Sequence, residues 1–371
     1  MCKLHALVLL AIAGAGASLA HADDAGLLGH KQSAWSMGEV HRQDAMRMGN
    51  QYREFISANR TEREVVAAAL KEAQGRGFVD LLAAGKKGDF KRAGTTFFAQ
   101  QHGKIAAFGV VGKRPISEGL HVIAAHIDAV RIDLKQTPLY ADGNMALLET
   151  HYYGSIKRYQ WLSQPLQLRG VVIRKNGQRV DIAIGDDPGE PVLVIPDVAA
   201  HMSRYVDRSE GEELPGERLD PILSSTPAKK GLDPYAAEAT RLIEAELGIK
   251  IADLASAELS LVPAAAARDV GLDRAIVVGY GQDDRAAVYA ALEALWDVRK
   301  PEHTAIVVLV DKEEVGSAGN TGAQSNFLPR VVAELLESQS KTSSAASIAK
   351  IFASSTVFSA DASGAVNPHY P

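Results

Sequence analysis

The chain has 371 residues, of which 46% are hydrophobic and 23% are charged, and its formal net charge is −5. This composition is that of a globular protein and excludes a chain that is disordered throughout. The small negative charge excludes the basic surface that a nucleic-acid backbone requires, so we expect no nucleic-acid partner. The single cysteine excludes an intramolecular disulfide and a cysteine-based zinc cluster. At roughly 150 residues per domain, the length fits two domains or one domain with an insertion.

Residues 1–22 have the three parts of a cleavable export signal. Lys3 and His5 form a basic start, an apolar run over 6–19 follows, and the small-x-small sequence AHA ends it. The apolar run is shorter than a transmembrane helix needs, although an uncleaved membrane anchor is the alternative. We therefore expect export, to a bacterial periplasm, with no stable membrane insertion after cleavage. If the signal is an artefact of the assigned gene start, the protein is cytoplasmic.

The next segments predict helical structure followed by short strands. The pattern is helical from Trp35 to about Leu82, and Thr61 with Glu64 three residues later is typical of a capping box. The runs KIAAFGVV (104–111) and LHVIAAH (120–126) are rich in β-forming residues and bounded by Gly or Pro. Both runs therefore predict strands.

The middle third of the chain contains several short β runs. Residues 166–175 and 179–184 predict two strands, which an Asn-Gly hairpin signal joins. Residues 209–230 are polar and contain Pro and Gly, which favours an exposed loop. Residues 235–249 have the apolar spacing of an amphipathic helix.

An alternation of strands and helices returns towards the C-terminus. The runs AIVVG (275–279) and TAIVVLV (304–310) predict buried strands, and RAAVYAALEALW (285–296) predicts a buried helix between them. Such alternation implies an α/β fold with a mostly parallel sheet covered on both faces. The division that we expect is a signal peptide over 1–22, a discontinuous α/β catalytic domain over 23–132 and 264–371, and an inserted β-rich domain over 133–263.

Polar residues follow three of the predicted strands, and ligands of open α/β sheets bind beyond the carboxyl ends of the strands. Carboxylates crowded at such a place resist ionisation unless a cation neutralises them. One imidazole with several carboxylates suits zinc, manganese or cobalt at a two-metal site. The residues concerned are His126, Asp128, Asp283, Asp284, Asp311, Glu313 and Glu314.

Each of these groups also has a structural interpretation. His126 could be an ordinary strand-terminal histidine, and Asp283 with Asp284 could cap the helix that follows. Glu313 and Glu314 could form a solvated turn. The spacing alone leaves these interpretations and the metal site open. The sequence contains no P-loop, complete dinucleotide fingerprint, nucleophile elbow or His-Glu-x-x-His motif, which excludes those sites.

Four motifs in order along the chain resemble those of the M18 metallo-aminopeptidases, the aspartyl-aminopeptidase-like family. They are HIDAVRIDLKQTPLY (126–140), GYGQDDR (279–285), DKEEVGS (311–317) and SADASGAVNP (359–368). The stretches HYYGSIKRYQW and IPDVAAHMSR also match the bacterial branch of the family, and the similarity runs from about Trp35 to Pro371. It implies a three-layer α/β/α dinuclear-zinc exopeptidase domain with an inserted β-rich domain used in dimerisation and oligomerisation.

The resemblance also implies a set of metal ligands. His126 and Asp361 resemble ligands of the first zinc ion, Glu314 resembles a ligand of the second, and Asp283 resembles the carboxylate that bridges both. The implied cofactor is zinc, two ions per active site, with cobalt or manganese as alternatives. The implied partners are peptide substrates and further copies of the same chain.

Three further residues receive roles from the resemblance. Glu313 resembles the general base that activates a metal-bridging water, and Asp128 resembles the carboxylate that orients His126. His201 resembles a residue that reaches the active site of a neighbouring subunit, although a surface or core histidine is the alternative.

The sequence departs from the family pattern in two ways. The family has a further histidine ligand near its C-terminus that this chain, which ends at Pro371, does not supply, so we expect a C-terminally truncated form. Asp283 and Glu314 would then be the protein ligands of the second ion, and we expect its binding to be weak or absent, since catalytic zinc usually has three. The motif SADASGA has Gly364 where eukaryotic relatives have histidine, which leaves the preference for acidic N-terminal residues open.

The leading hypothesis is therefore a zinc-dependent aminopeptidase that removes N-terminal residues from peptides. The alternative is a catalytically impaired relative that binds peptides or forms oligomers, because the C-terminal histidine is missing. A third hypothesis is a different dinuclear hydrolase, such as a carboxypeptidase or a deacetylase. Substrates with a blocked amine distinguish the third from the first.

Overall fold

A computed structural model describes residues 38–83, 90–205, 215–339, 341–364 and 369. The predicted export signal and the last four residues of SADASGAVNP lie outside these ranges. Within them, no helix combines the length and the apolar composition that crossing a membrane would need.

The described residues form six α-helices, and the capping box predicted for the second of them is confirmed. The side chain of Thr61 accepts a hydrogen bond from the Glu64 N–H, and the Glu64 carboxylate accepts one from the Thr61 N–H. This cap separates two helices in what the sequence pattern presented as one helical region. The helices are α1 (Glu39–Ala58), α2 (Glu62–Gly75), α3 (Pro234–Glu246), α4 (Gln282–Asp297), α5 (Phe327–Ser338) and α6 (Ala345–Ala353).

Fourteen strands occur within the described residues, in three sheets. The strands of the N-terminal third are β1 (Val79–Asp80), β2 (Thr96–Gln101), β3 (Ile105–Val110) and β4 (Leu120–His126). Those of the middle third are β5 (Arg131–Asp142), β6 (Met145–Tyr153), β7 (Leu166–Ile173), β8 (Arg179–Ile184), β9 (Ile222–Ser224) and β10 (Glu258–Pro263). The remaining strands are β11 (Arg268–Val270), β12 (Ile276–Val278), β13 (Thr304–Val310) and β14 (Thr356–Ser359).

The first sheet has six strands in the order β1-β2-β3-β13-β4-β14. The pairs β1–β2, β13–β4 and β4–β14 are parallel, whereas β2–β3 and β3–β13 are antiparallel. Three of the five pairs are thus parallel, as expected of a mostly parallel sheet, and two are antiparallel. The reason is local: the short turn over 102–104 joins β2 to β3, and a tight hairpin can join only antiparallel strands.

Helices cover both faces of this sheet and give the three-layer α/β/α architecture. Successive side chains of a strand point to opposite faces, and β3 shows the consequence. Ala106 and Phe108 belong to a core that contains the apolar side of α2 and α4. Ile105 and Ala107 belong to a second core, which the apolar side of α5 completes on the other face. The sheet therefore lies between the two helical layers.

The second sheet is antiparallel, with the order β8-β7-β10-β5-β6-β9, and all its strands come from residues 131–263. Its core contains Ile132, Trp161 and Leu168, with Ile243 of α3 packed on it. The predicted strand pair around the Asn-Gly turn is confirmed as β7 and β8. The helix predicted over 235–249 is confirmed as α3.

The expectation of an exposed loop over 209–230 was partly wrong. Residues 209–214 lie outside the described residues, but Leu219 is completely buried and Asp220 is buried beside it. Asp220 Oδ1 accepts a hydrogen bond from the Thr150 N–H at 2.9 Å, and β9 then pairs with β6. The polar composition of the segment concealed this short edge strand.

The prediction of a buried strand over 275–279 was also wrong about where this strand lies. The observed β12 pairs with β11 in a separate two-stranded sheet, and Ile276 and Val278 are 64% and 53% exposed. A short run of β-branched residues does not by itself distinguish a strand in a core from a strand in a surface hairpin. The strand predicted over 304–310 is confirmed as β13.

Candidate metal centre

The imidazole of His126 lies at the centre of a group of carboxylates. His126 is the last residue of β4 and is 3% exposed. Its Nε2 lies 3.2 Å from Asp283 Oδ1, 3.9 Å from Glu313 Oε2 and 3.9 Å from Asp361 Oδ1. One ring nitrogen thus faces three carboxylates from three different parts of the chain.

The order of the strands in the first sheet brings these residues together. β4 lies between β13 and β14 and is parallel to both. Glu313 follows the end of β13, Asp361 follows the end of β14, and Asp283 lies in the first turn of α4. Because the carboxyl ends of parallel strands meet at one edge, the sequence argument holds for His126 and Glu313. It does not hold for Asp283, since β12 before it lies in a separate two-stranded sheet.

Three of these residues offer a set of donors that fits a divalent cation. The donor atoms of His126, Asp283 and Asp361 all lie within 4.8 Å of one another. An imidazole nitrogen and carboxylate oxygens are a ligand set that zinc accepts. The side chains of Asp283 and Asp361 are 61% and 56% exposed, so the position is open to a substrate. Such an open position is typical of catalytic rather than structural zinc.

Asp128 holds the other side of the histidine ring. It is completely buried, and its Oδ1 lies 3.3 Å from the Nδ1 of His126. The same Nδ1 lies 3.0 Å from the backbone carbonyl oxygen of Asp128. A ring whose Nδ1–H is held in this way presents Nε2 as the ligand atom. The placement of Asp128 therefore agrees with the orienting role that the resemblance implied.

The loop after β13 is fixed to the same carboxylate. The backbone N–H of Glu313 donates to Asp128 Oδ1 at 3.1 Å, and that of Glu314 donates to Oδ2 at 3.2 Å. The Glu314 side chain lies against Gly154, where an added Cβ would come within 3.3 Å of Glu314 Oε2. Asp128 thus connects the histidine to the two glutamates.

The pKa values of the cluster reflect its excess of negative charge. Burial lowers the pKa of His126, but the hydrogen bond and charge of Asp128, with the charges of Asp284 and Glu313, raise it to about 9. Burial raises the pKa of Asp284 to about 7. Burial and the charge of Asp283 raise the pKa of Glu314. A divalent cation would oppose these shifts, because its charge favours ionised carboxylates and a neutral imidazole.

Two carboxylates that the sequence grouped with the site lie beneath it. Asp284 is completely buried, and its Oδ2 accepts a hydrogen bond from the backbone N–H of His126 at 3.3 Å. Asp311 is also completely buried and accepts a hydrogen bond from the Thr321 hydroxyl at 2.8 Å. Lys104 Nζ lies 3.5 Å from Asp311 Oδ2. Asp311 is therefore part of a buried ion cluster and is not among the three donors grouped at the candidate metal position.

His201 lies apart from this cluster. It is exposed on a short 3-10 helix, Ala200–Tyr205, between β8 and β9. Among the described residues, no hydrogen bond or ion pair joins it to His126 or its carboxylates. A role towards another subunit stays a prediction.

The residue assignments from the sequence did not include Tyr153. Its hydroxyl donates a hydrogen bond at 2.7 Å to Asp128 Oδ2, in the loop that leads from β4 to β5. The one signal in the sequence was that the segment HYYGSIKRYQW, which contains Tyr153, matches the bacterial branch of the family. That signal indicated a shared segment but no function for the tyrosine.

Comparisons with known proteins identify the family to which the chain is similar. The profile of a family described as Aminopeptidase I zinc metalloprotease (M18) matches residues 55–371. The probable M18 family aminopeptidase 1 of Clostridium acetobutylicum is 37% identical over 349 residues, 93% of this chain and 75% of that protein. The protein of the same description from Borrelia garinii is 40% identical over 344 residues, 91% of this chain and 74% of that one. The crystal structure of the M18 aminopeptidase from Thermotoga maritima superposes with a TM-score of 0.86 and 34% identity, and covers 92% and 74% of the two chains.

Proposed function

The chain belongs to the Peptidase M18 family and is a metallo-aminopeptidase, and we propose that it removes N-terminal residues from peptides with Glu313 as the general base. The observation that carries this proposal is the convergence of Asp283, Glu313 and Asp361 on the Nε2 of His126. This convergence places three possible metal ligands, His126, Asp283 and Asp361, beside the carboxylate of Glu313. No hydrogen bond within the described residues involves that carboxylate.

His126, Asp283 and Asp361 would hold a zinc ion in this proposal. Zinc, when bound, supplies Lewis acidity that polarises a scissile carbonyl and makes a water molecule more acidic. Asp283 and Glu314 would be the protein ligands of a second ion, which two carboxylates alone would bind weakly, since catalytic zinc usually has three protein ligands. The backbone of Glu314 is fixed by Asp128. Cobalt or manganese could replace zinc, because both accept the same nitrogen and oxygen ligands.

The residues of the chain itself would carry the proton transfers. The Glu313 side chain is 47% exposed, so its carboxylate can reach a water molecule and a bound peptide. It would accept the proton of the attacking water and later deliver it to the leaving amine. Asp128 would keep Glu313 in place through the backbone hydrogen bond at 3.1 Å.

We also propose a homo-oligomer formed through the second sheet and its connections. Apolar side chains are exposed on this segment on both sides of His201, including Val198 at 39% and Met202 at 44%. Exposed apolar side chains in one region are a feature of surfaces that bind other proteins. Sedimentation of the purified protein should give a multiple of the chain mass, and a monomer at micromolar concentration would contradict this assembly.

Export of the chain is proposed on the sequence of residues 1–22 alone. The basic start, the apolar run and the small-x-small site support it. Mass spectrometry of the protein recovered from cells should find a mature chain that begins after Ala22. Recovery of intact Met1 in an exported fraction would contradict cleavage.

A panel of aminoacyl-chromophore substrates tests the proposed function. The zinc-loaded protein should hydrolyse substrates with a free α-amine and should leave their N-acetyl counterparts intact. Removal of the metal with a chelator should abolish hydrolysis, and zinc, cobalt or manganese should restore it. Peptide binding without turnover under all these conditions would favour the impaired relative instead. Hydrolysis of the amine-blocked substrates would favour a different dinuclear hydrolase.

A further inference from the structure

The end of β6 in the second sheet touches the candidate metal centre in the first. Tyr153 is the last residue of β6, and its hydroxyl donates to Asp128 Oδ2 at 2.7 Å. This is the shortest of the hydrogen bonds that Asp128 accepts from the surrounding chain. A residue of the middle segment thus contacts the carboxylate that orients His126.

The ring of Tyr153 is itself held in place by its neighbour across the strands. Arg131 pairs with Tyr153 in the register of β5 and β6, and its guanidinium lies 3.8 Å from the centre of the tyrosine ring. Arg131 is buried and paired with Asp133 at 2.7 Å and with Glu62 at 3.5 Å. A cation placed over an aromatic face in this way stabilises the position of the ring. The hydroxyl is therefore aimed at Asp128 by contacts that do not involve the metal centre.

The hydroxyl acts as a donor at this position. Burial and the adjacent charge of Asp128 raise the pKa of Tyr153 well above its usual range, so the phenol stays protonated. The hydrogen bonds from His126 and Tyr153 in turn outweigh burial and lower the pKa of Asp128. The pair is thus a charge-assisted hydrogen bond to an ionised carboxylate, which is stronger than a neutral one.

We propose that Tyr153 is a positioning residue of the metal centre, which acts by fixing the carboxylate of Asp128 and through it His126 and the Glu313 backbone. This inference rests on the proposed function, since it assumes that His126 is a zinc ligand. Without the hydroxyl, Oδ2 keeps the Glu314 N–H at 3.2 Å as its remaining hydrogen bond from the described residues. Loss of an outer partner of this kind typically costs about 10-fold to 100-fold in metal affinity or activity.

The variant Tyr153→Phe tests the inference, with Tyr152→Phe as its matched control. Tyr152 is the preceding residue of β6 and so points to the opposite face of the strand, where Arg158 lies 5.0 Å from its ring centre. Each substitution removes one phenolic oxygen from the same strand. The measurements are the zinc dissociation constant by competition with a chromogenic chelator, kcat and KM at saturating zinc, and the Tm of the metal-free protein.

Tyr153→Phe should weaken zinc binding about 10-fold to 100-fold, with a Tm of the metal-free protein close to that of Tyr152→Phe. Tyr152→Phe should bind zinc like the unsubstituted chain. Zinc affinity of Tyr153→Phe within about twofold of the unsubstituted chain, or a loss equal to that of Tyr152→Phe, would overturn the inference while the proposed function stands. An unsubstituted chain that binds no zinc would overturn both.

Discussion

The Oδ1 atom of Asp128 accepts a hydrogen bond from the backbone N–H of Glu313 at 3.1 Å. Asp128 therefore fixes the loop after β13 that carries the proposed base, Glu313. Because the same carboxylate faces the Nδ1 of His126 at 3.3 Å, one side chain sets both the proposed ligand and the proposed base.

The substitution Asp128→Asn should weaken zinc binding and turnover together. The amide nitrogen cannot accept a hydrogen bond, so at least one of the N–H groups now bonded to Asp128 would lose its acceptor. We expect about a 10-fold to 100-fold loss in zinc affinity, measured by chelator competition. Asp142→Asn, at the exposed turn between β5 and β6, is the control and should change neither quantity. Unchanged zinc affinity in Asp128→Asn would remove the orienting role.

The substitution Glu313→Gln should separate metal binding from catalysis. The amide keeps the size of the side chain and the backbone hydrogen bond to Asp128, but it cannot take up a proton. We expect zinc content to stay unchanged and kcat to fall by about 100-fold to 10,000-fold, the usual contribution of a general base. Glu302→Gln, on the surface beside Lys113, is the control for the loss of an exposed carboxylate. Near-normal turnover of Glu313→Gln would exclude Glu313 as the base.

The substitution Gly154→Ala should impair catalysis more than its backbone cost explains. Gly154 has φ +74°, and an added Cβ would lie 2.9 Å from Val130 Cγ1 and 3.3 Å from Glu314 Oε2. Gly177 has φ +82° with no heavy atom within 4 Å of the added Cβ, so Gly177→Ala is a matched control. Gly177→Ala should lose about 1–2 kcal/mol of stability in urea unfolding. Gly154→Ala should lose at least as much, because its methyl group also meets Val130.

Only Gly154→Ala should in addition lose turnover, because only its methyl group reaches the glutamate. Equal activity of the two variants would show that the contact with Glu314 has no catalytic consequence. The comparison needs kcat at saturating zinc, measured beside the unfolding curves.

The substitution Glu62→Gln should destabilise the fold in a pH-dependent way. Glu62 is buried between Lys104 Nζ at 2.9 Å and Arg131 Nη1 at 3.5 Å. Burial raises the pKa of Glu62, but the two cations outweigh that effect and hold it well below its usual range. Asp311 and Glu258 also face Lys104, at 3.5 and 3.7 Å.

A carboxyl group whose pKa is lowered by folding stabilises the native state above its unfolded pKa of about 4.3. That contribution is lost progressively as the pH falls below this value. Glu62→Gln should therefore cost about 3–5 kcal/mol at pH 7, and the difference from the unsubstituted chain should shrink at pH 4 and below. Glu72 forms an exposed ion pair with Arg76 four residues later. Glu72→Gln should therefore cost about 0.5 kcal/mol of stability or less. A Glu62→Gln deficit that stays constant from pH 7 to about pH 3 would contradict the lowered pKa.

The sequence was most informative where one local pattern determined one local structure. The capping box of Thr61 and Glu64 and the strand that ends at His126 are set by neighbouring residues, and both are present as predicted. The meeting of His126 and Glu313 was predictable because both follow parallel neighbouring strands of one sheet. Asp361 was assigned from the family resemblance, and Asp283 follows β12, which lies in a separate sheet.

What the sequence did not predict depends on contacts between distant segments. Tyr153 reaches Asp128 because β6 ends beside the loop that leads from β4 into β5, and this approach depends on the register between β5 and β6. Asp311 belongs to a run of acidic residues, yet Lys104 and Thr321 hold it below the site. Ile276 lies in a surface hairpin because β12 pairs with β11 and with no other strand of the described residues. In each of these cases, the local periodicity and composition fit both the predicted and the observed placement of the residue.

The titration of metal-free protein with zinc tests the central claim most directly. Release of chromophore from a free-amine substrate should rise in step with the zinc bound to the unsubstituted chain and to His121→Ala. His121 lies on β4 with His126 but is exposed and stacked on His303, with 4.8 Å between the ring centres. His126→Ala should bind zinc at least 10-fold more weakly and release no chromophore at the zinc concentration that saturates the unsubstituted chain. Zinc-dependent hydrolysis by His126→Ala equal to that of His121→Ala would contradict the account.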